Sequence, residues 1–365
     1  MELPPLGSTV DELDTPCLLI DVEPFDRNIQ RMSEHCRTGG VAWRPHAKSH
    51  KNPTIAQRLL DAGAIGITCA KLGEAEVMAA GGINDLLIAN ELIGRRKLER
   101  LVALRRQADP IATVDHPVQV DALSEAASAS GVSLRTIVEV DVGLNRCGQQ
   151  PGAPAADLAR RIDAASGLEL VGIMGYEGHC LRIPDPDEKE REIRAAVQRL
   201  ADTKNEFDRA GLPCPIISAA GTGTYQITAR MDTVTEMQAG GGIFMDLTYR
   251  NQMNVAELEY ALTILTTVTS RPKPGVVIVD AGRKTMNMEL HMPEVRGRSD
   301  MKFISLSAEH GQIELSGDAG PAVGDRLEVI PGYGDFTTVL HDYFFAMRGG
   351  KLEAIWPLEA RGRLD

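Results

Sequence analysis

Short apolar runs recur between residues 41 and 244, and each is followed by a stretch whose apolar residues fall three and four apart. The runs are Val41–Pro45, Ala64–Ala70, Asp85–Ala89, Pro110–Val114, Leu134–Val142, Leu168–Tyr176, Pro215–Ala219 and Glu236–Phe244. The stretches between them, such as LGEAEVMAAGG and GRRKLERLVALRRQ, set charges among the apolar positions, as half-buried helices do. Eight strand candidates alternating with helices predict an α/β fold of the (β/α)8 TIM-type barrel class. An open doubly wound sheet gives the same alternation. The count of eight favours the barrel.

Beyond about residue 256 the helical period fades. ALTILTTVTSRP, GVVIVDAG, KFISLS, QIEL, DRLEVI, YFFAM and LEAIWPL are strand-like runs joined by Gly, Pro and Asp turns. They predict a C-terminal, mainly-β domain over 256–365, with the barrel over 24–255. TPCLLIDV, before the first helix, is also strand-like, so residues 1–23 are expected to join the β domain.

Charge removes two classes of partner. The 365-residue chain has a formal net charge of −12, which argues against nucleic acid and membrane surfaces, both polyanionic. No apolar run approaches the roughly 20 residues of a membrane span. The N-terminal MELPPLGSTVDELDTP is acidic and Pro-rich, unlike a signal peptide. Six scattered cysteines with no C-x-x-C pair read as reduced thiols, so the expected compartment is cytoplasmic.

Four motifs fall where barrel enzymes keep their chemistry, at the C-terminal ends of strands. RPHAKSHK follows the first strand. In an extended chain His46, Lys48 and His50 share one face and Lys51 points elsewhere, as a bystander or a phosphate-side charge. A lysine there is a solvated loop residue or, if desolvated, an amine for Schiff-base chemistry. EVDVGLNRCG follows the fifth strand, and its Arg146 carries a permanent charge, for an ion pair or for an anionic ligand. GYEGH follows the sixth, where Tyr176 is a packed aromatic or a ligand contact. SAAGTGTY and QAGGG follow the seventh and eighth, and such glycine loops let backbone N–H groups surround a phosphate. An amine, an arginine, a tyrosine and a phosphate cradle suit pyridoxal 5'-phosphate.

These segments, with TPCLLID and LHDYFFAMRGGKLEAIWPLEARG, resemble the D-threonine aldolase, D-serine dehydratase and 3-hydroxy-D-aspartate aldolase family, which has the alanine-racemase-type fold. The resemblance runs over nearly the whole chain. It implies that Lys48 forms the covalent Schiff-base link to pyridoxal phosphate. It sets Arg146 near the cofactor's phenolic oxygen and Tyr176 near its ring. Gly221, Thr222, Gly223, Gly240 and Gly241 would hold the phosphate. It also implies a homodimer with shared active sites and a small amino-acid substrate.

One departure stands out. Family members that bind a divalent metal (Mn, Mg or Zn) carry a histidine where PGYGDFTTVLHD has Tyr333, while Asp335 remains. A phenol, with a pKa of about 10, is a poor ligand beside an imidazole. Asp335 is then the one metal-ligand candidate of that motif, with His310 and His341 as further histidines. Tyr333 is an acid–base candidate or an aromatic filler. The implied reaction is a retro-aldol cleavage of a D-configured β-hydroxy-α-amino acid, with His50, Tyr333 and Asp335 as candidate bases. β-Elimination, as in a D-serine or 3-hydroxyaspartate dehydratase, is the nearest alternative. Racemisation and non-catalytic cofactor binding follow.

Overall fold

The computed structural model describes residues 3–317 and 319–365. By packing, the chain divides into two units: Met32–Gly240 with Gly362–Asp365, and the chain up to Arg31 with Gly241–Arg361.

The chain opens with strand β1 (Cys17–Asp21) and helix α1 (Val22–Gly39). Then strands and helices alternate: β2 (Ala42–Trp43), α2 (Pro53–Asp61), β3 (Ile67–Cys69), α3 (Leu72–Ala80), β4 (Asp85–Glu91), α4 (Arg95–Arg105), β5 (Asp109–Val114), α5 (Pro117–Ser130), β6 (Leu134–Glu139), α6 (Ala153–Asp163), β7 (Leu168–Met174), α7 (Pro186–Arg209), β8 (Ile216–Ala219), α8 (Tyr225–Thr228) and β9 (Glu236–Met237). Local chemistry starts several helices. Asn52-Pro53, His116-Pro117 and Asp185-Pro186 each place a polar cap before a proline. The cap side chain accepts a free N–H, and the proline has none to leave unpaired.

β2 to β9 form one parallel sheet in the order β2-β9-β8-β7-β6-β5-β4-β3. Its two ends meet. His46 bridges Thr68, Thr68 N–H donates to Pro45 O at 2.9 Å, and Ile65 N–H donates to Trp43 O at 2.8 Å. This is the TIM-like barrel that the eight runs predict. Leu87, Ile111, Ile137, Val171 and Met174, from neighbouring strands, make one of its buried clusters. The eighth run is strand only at Glu236–Met237, because Gly240–Gly242 break it and Gly241–Ile243 turn as a 3-10 helix.

The other unit contains α9 (Leu247–Asn251), β10 (Leu262–Ser270), β11 (Val276–Val279), β12 (Glu294–Val295), β13 (Met301–Leu306), β14 (Gly311–Leu315), β15 (Arg326–Ile330), α10 (Gly334–Thr338), β16 (Tyr343–Arg348) and β17 (Lys351–Pro357). Its sheet runs β11-β14-β13-β12-β15-β10-β1-β16-β17. β1 lies between β10, antiparallel, and β16, parallel, so the N-terminal strand joins the β unit. Leu13, Cys17, Leu19, Leu265, Phe345, Met347 and Leu352 form a core there.

Candidate active site

The stretch after β2 is not extended. Ala47–Ser49 form a single 3-10 turn, capped by the His46 side chain, whose Nδ1 accepts the Lys48 N–H at 3.3 Å. The extended segment that would set His46, Lys48 and His50 on one face is therefore replaced by a turn. Lys48 stays half-buried on the turn. His46 N–H donates to Gln238 O at 3.0 Å, and a Cβ on Gly240 would stand 2.6 Å from His46 N. Gly240 thus lets the last loop lie directly against the lysine turn. Burial holds the His46 imidazole well below its usual pKa, and the charges of Lys48, Lys51 and Arg146 add to this.

His50 is fully buried. Burial pushes its pKa down to about 3. Its Nδ1 accepts the Asn52 N–H at 3.2 Å, and its Nε2 finds no partner among the described residues. Lys51 is no bystander. It is 5% exposed and ion-paired to Glu74, whose side chain is fully buried. Glu74 also accepts the Lys71 N–H at 3.2 Å at the start of α3.

Arg146 rides on a loop that Asp141 shapes. Asp141 Oδ1 accepts the N–H groups of Gly143 (2.9 Å) and Asn145 (3.0 Å). Gly148, at φ +109°, closes the loop; a Cβ there would meet Asp141 N at 2.5 Å. The guanidinium lies 5.7 Å over the Tyr176 ring and 3.4 Å from Glu139. Tyr176 in turn flanks the first glycine loop, where a Cβ on Gly221 would meet its ring at 2.9 Å. Thr222 and Gly223 are buried in that loop. Glu177, which sequence reasoning passed over, ties the two loops together: it accepts the Ala220 N–H at 3.2 Å and the Thr228 hydroxyl at 2.6 Å. A buried acid inside GYEGH was the available signal. The barrel end therefore brings together Lys48, Arg146, Tyr176, Gly221, Thr222, Gly223 and Gly240.

The remaining candidates belong to the β unit. Gly241 packs against Tyr249, where any Cβ would run into the phenol. Tyr333 donates its hydroxyl to Asp335 Oδ2 at 3.0 Å and packs edge-on to Phe336 at 4.9 Å. Buried Asp246 holds their loop: Oδ2 accepts the Gly334 N–H and Oδ1 caps α9 through the Tyr249 N–H, both at 2.8 Å. His341 points elsewhere, its Nε2 donating to Thr285 O at 2.8 Å, and His310 is exposed. Among the described residues, Asp335 joins no group of three His, Cys, Asp or Glu ligand atoms. The neighbour that Asp335 does have is a phenol, a poorer donor for a divalent ion than an imidazole.

Asp246→Asn is expected to lower stability by about 1–3 kcal/mol, because the amide nitrogen faces one of the two N–H donors. Burial pushes the carboxyl pKa up to about 8, above its ordinary 3.8. The folded state thus holds the proton more tightly than the unfolded one. The wild-type contribution is full below about pH 4 and lost toward pH 8, so the cost of the amide shrinks as pH rises. Urea unfolding at several pH values measures this; a cost that grows with pH contradicts it.

Residues 20–248 match the family model for the alanine racemase N-terminal domain. The chain belongs to this family. Residues 261–347 match a second model, for a serine dehydratase domain. Over 98% of its length the chain is 34% identical to a 3-hydroxy-D-aspartate aldolase of Paracoccus denitrificans, covering 94% of that protein. It is 36% identical to a D-threonine aldolase of an Arthrobacter species, covering 98% of this chain and 95% of that one. Among solved family structures, D-threonine aldolase from Filomicrobium marinum superposes with a TM-score of 0.96 at 36% identity, covering 99% of this chain and 100% of that one. No helix among the described residues is long and apolar enough to cross a membrane.

Proposed function

We propose that this chain is a pyridoxal-phosphate-dependent lyase that cleaves a D-configured β-hydroxy-α-amino acid into an aldehyde and glycine or a related amino acid. The observation that carries the reading is the gathering of Lys48, Arg146, Tyr176 and the Gly221 and Gly240 loops at one end of the barrel, in a chain related over 98% of its length to D-threonine aldolase.

The residues present suit the cofactor. Gly221 lies against the Tyr176 ring and Gly240 against the His46 backbone, which brings both glycine loops up to the turn and the aromatic face where a phosphate-bearing ligand would be held. When bound, pyridoxal phosphate supplies an electron sink for the charge left on Cα as the Cα–Cβ bond breaks. Lys48 offers the amine that anchors it. Arg146 presents a charge that no accessible pH removes, suited to the phenolic oxygen. Tyr176 offers an aromatic face. The backbone N–H groups of Thr222, Gly223, Gly240 and Gly241 would hold the phosphate, while the Gly221 N–H is taken by Thr224 Oγ1 at 3.1 Å.

For the proton of the β-hydroxyl, Tyr333 and Asp335 are the candidate bases. Because the phenol already donates to the carboxylate, a proton accepted at Tyr333 Oη passes on to Asp335. His50, held near a pKa of 3 by burial, is too weak a base to share the task. We read the active form as a cytoplasmic homodimer with sites shared between copies. The six unpaired cysteines agree with that compartment.

The serine dehydratase match of residues 261–347 favours β-elimination as the second reading. Elimination must expel hydroxide, which a Lewis acid assists. The phenol beside Asp335 is a poor donor for one, so cleavage is preferred. A panel of D-β-hydroxy amino acids tests the choice. An aldehyde product is expected. A keto acid with ammonia means dehydratase, the enantiomer means racemase, and no turnover with cofactor bound means a carrier. A stoichiometric divalent ion in the purified protein overturns the reading of Tyr333.

A further inference from the structure

Glu91 ends β4 and Glu139 ends β6, with β5 between them. The β4–β5 register breaks between Ile88 and Glu91, which re-aims the Glu91 side chain. One oxygen of each carboxylate and the Cys147 sulfur lie within 4.8 Å of one another. Cys147 Sγ donates to Glu139 Oε1 at 3.0 Å, and Arg146 Nη2 stands 3.4 Å from the same oxygen. Glu139 is 3% exposed, and Glu91 Oε1 is shut from solvent with no hydrogen-bond partner among the described residues. Two carboxylates this close in a half-dry site cannot both ionise cheaply. One guanidinium balances one negative charge, not two.

We propose that Glu91 and Glu139 share a single proton, and that this proton governs where the Arg146 guanidinium lies. With the proton in place the pair carries one negative charge, and Arg146 divides itself between Glu139 and the Tyr176 face. Without it the doubled charge draws Arg146 onto the acids and away from an anionic ligand. Glu91 is thus a positioning residue, and the cluster already contains its own cation. Burial and the Glu139 charge push Glu91 up to about 7, and Asp115 adds to the push. Burial first, then the bond to Glu139, pushes the Cys147 thiol up to about 12, so it remains a donor. The effect on the cofactor rests on the reading of Arg146 given above; the shared proton does not.

Carboxyl-labelled glutamate in the full-length chain lets NMR follow both groups. Two signals that shift together in one step above the ordinary carboxylate range are expected, and Glu91→Gln should remove that step. Independent titration in the ordinary carboxylate range overturns the proposal, and the wild-type chain alone decides this. A coupling of one pKa unit corresponds to about tenfold in affinity. The Kd for pyridoxal phosphate should therefore rise up to about tenfold more in wild type than in Glu91→Gln between about pH 6 and pH 8. That difference should vanish in the Arg146→Gln background. If the proton is shared but Arg146→Gln leaves cofactor affinity and its pH response unchanged, the Arg146 reading fails and takes the positioning claim with it. Stoichiometric zinc shifting both signals would instead mark a metal site and overturn the shared proton.

Discussion

Lys48→Ala is expected to lose the cofactor's visible absorbance near about 420 nm, its borohydride-reducible link to the chain, and turnover by on the order of 10³-fold or more. The variant should fold normally. The turn that carries Lys48 is capped through its backbone N–H by the His46 ring, and that bond survives removal of the side chain. Lys51→Ala is the informative contrast. Lys51 pairs with buried Glu74 of α3, so its removal leaves a buried carboxylate short of its cation and should act on stability first. Mass spectrometry after reduction separates the two lysines. A reduced adduct on Lys51, or absorbance retained in Lys48→Ala through the same linkage, sinks the assignment.

The contrast also shows what the chain discloses on inspection. The eight barrel strands were legible because each apolar run is short and each following helix keeps its own period. The β unit was legible because its runs are short and joined by Gly, Pro and Asp turns, except β12, a two-residue strand inside a turn-rich stretch. The motifs located the site residues but not their geometry. His46 caps a turn where an extended segment was expected, a local hydrogen bond that no periodicity encodes. The Lys51 partner is 23 positions away and the Glu177 partners are 43 and 51 away. Only the folded sheet makes such groups neighbours. Glu139 sits inside the run Leu134–Val142 and Glu91 two residues past the run Asp85–Ala89, and their proximity appears once β5 is placed between them.

Arg44 shows the same limit most sharply and carries the second large expectation. In the sequence it belongs to the cation-rich RPHAKSHK. In the barrel its side chain is 2% exposed and spent on structure. Nε lies 3.0 Å from Glu236 Oε1, and Nη1 lies 2.8 Å from Asp85 Oδ1. Arg135 extends the chain of charges, reaching Asp85 at 2.6 Å and Asp109 at 2.9 Å. Opposite charges thus alternate across β9, the end of β2, β4, β6 and β5. Burying such a set costs desolvation, so it need not stabilise more than apolar residues would. Removing one member is another matter, because the partner is left charged in the dry interior. Arg44→Met is expected to cost about 3–5 kcal/mol, with Glu236→Gln close behind. Arg44→Met combined with Glu236→Leu should recover much of the loss, since no uncompensated Glu236 charge remains. Urea unfolding of the three variants gives the coupling. If the double variant is as unstable as the sum of the singles, Arg44 acts through shape packing and the charge argument is wrong.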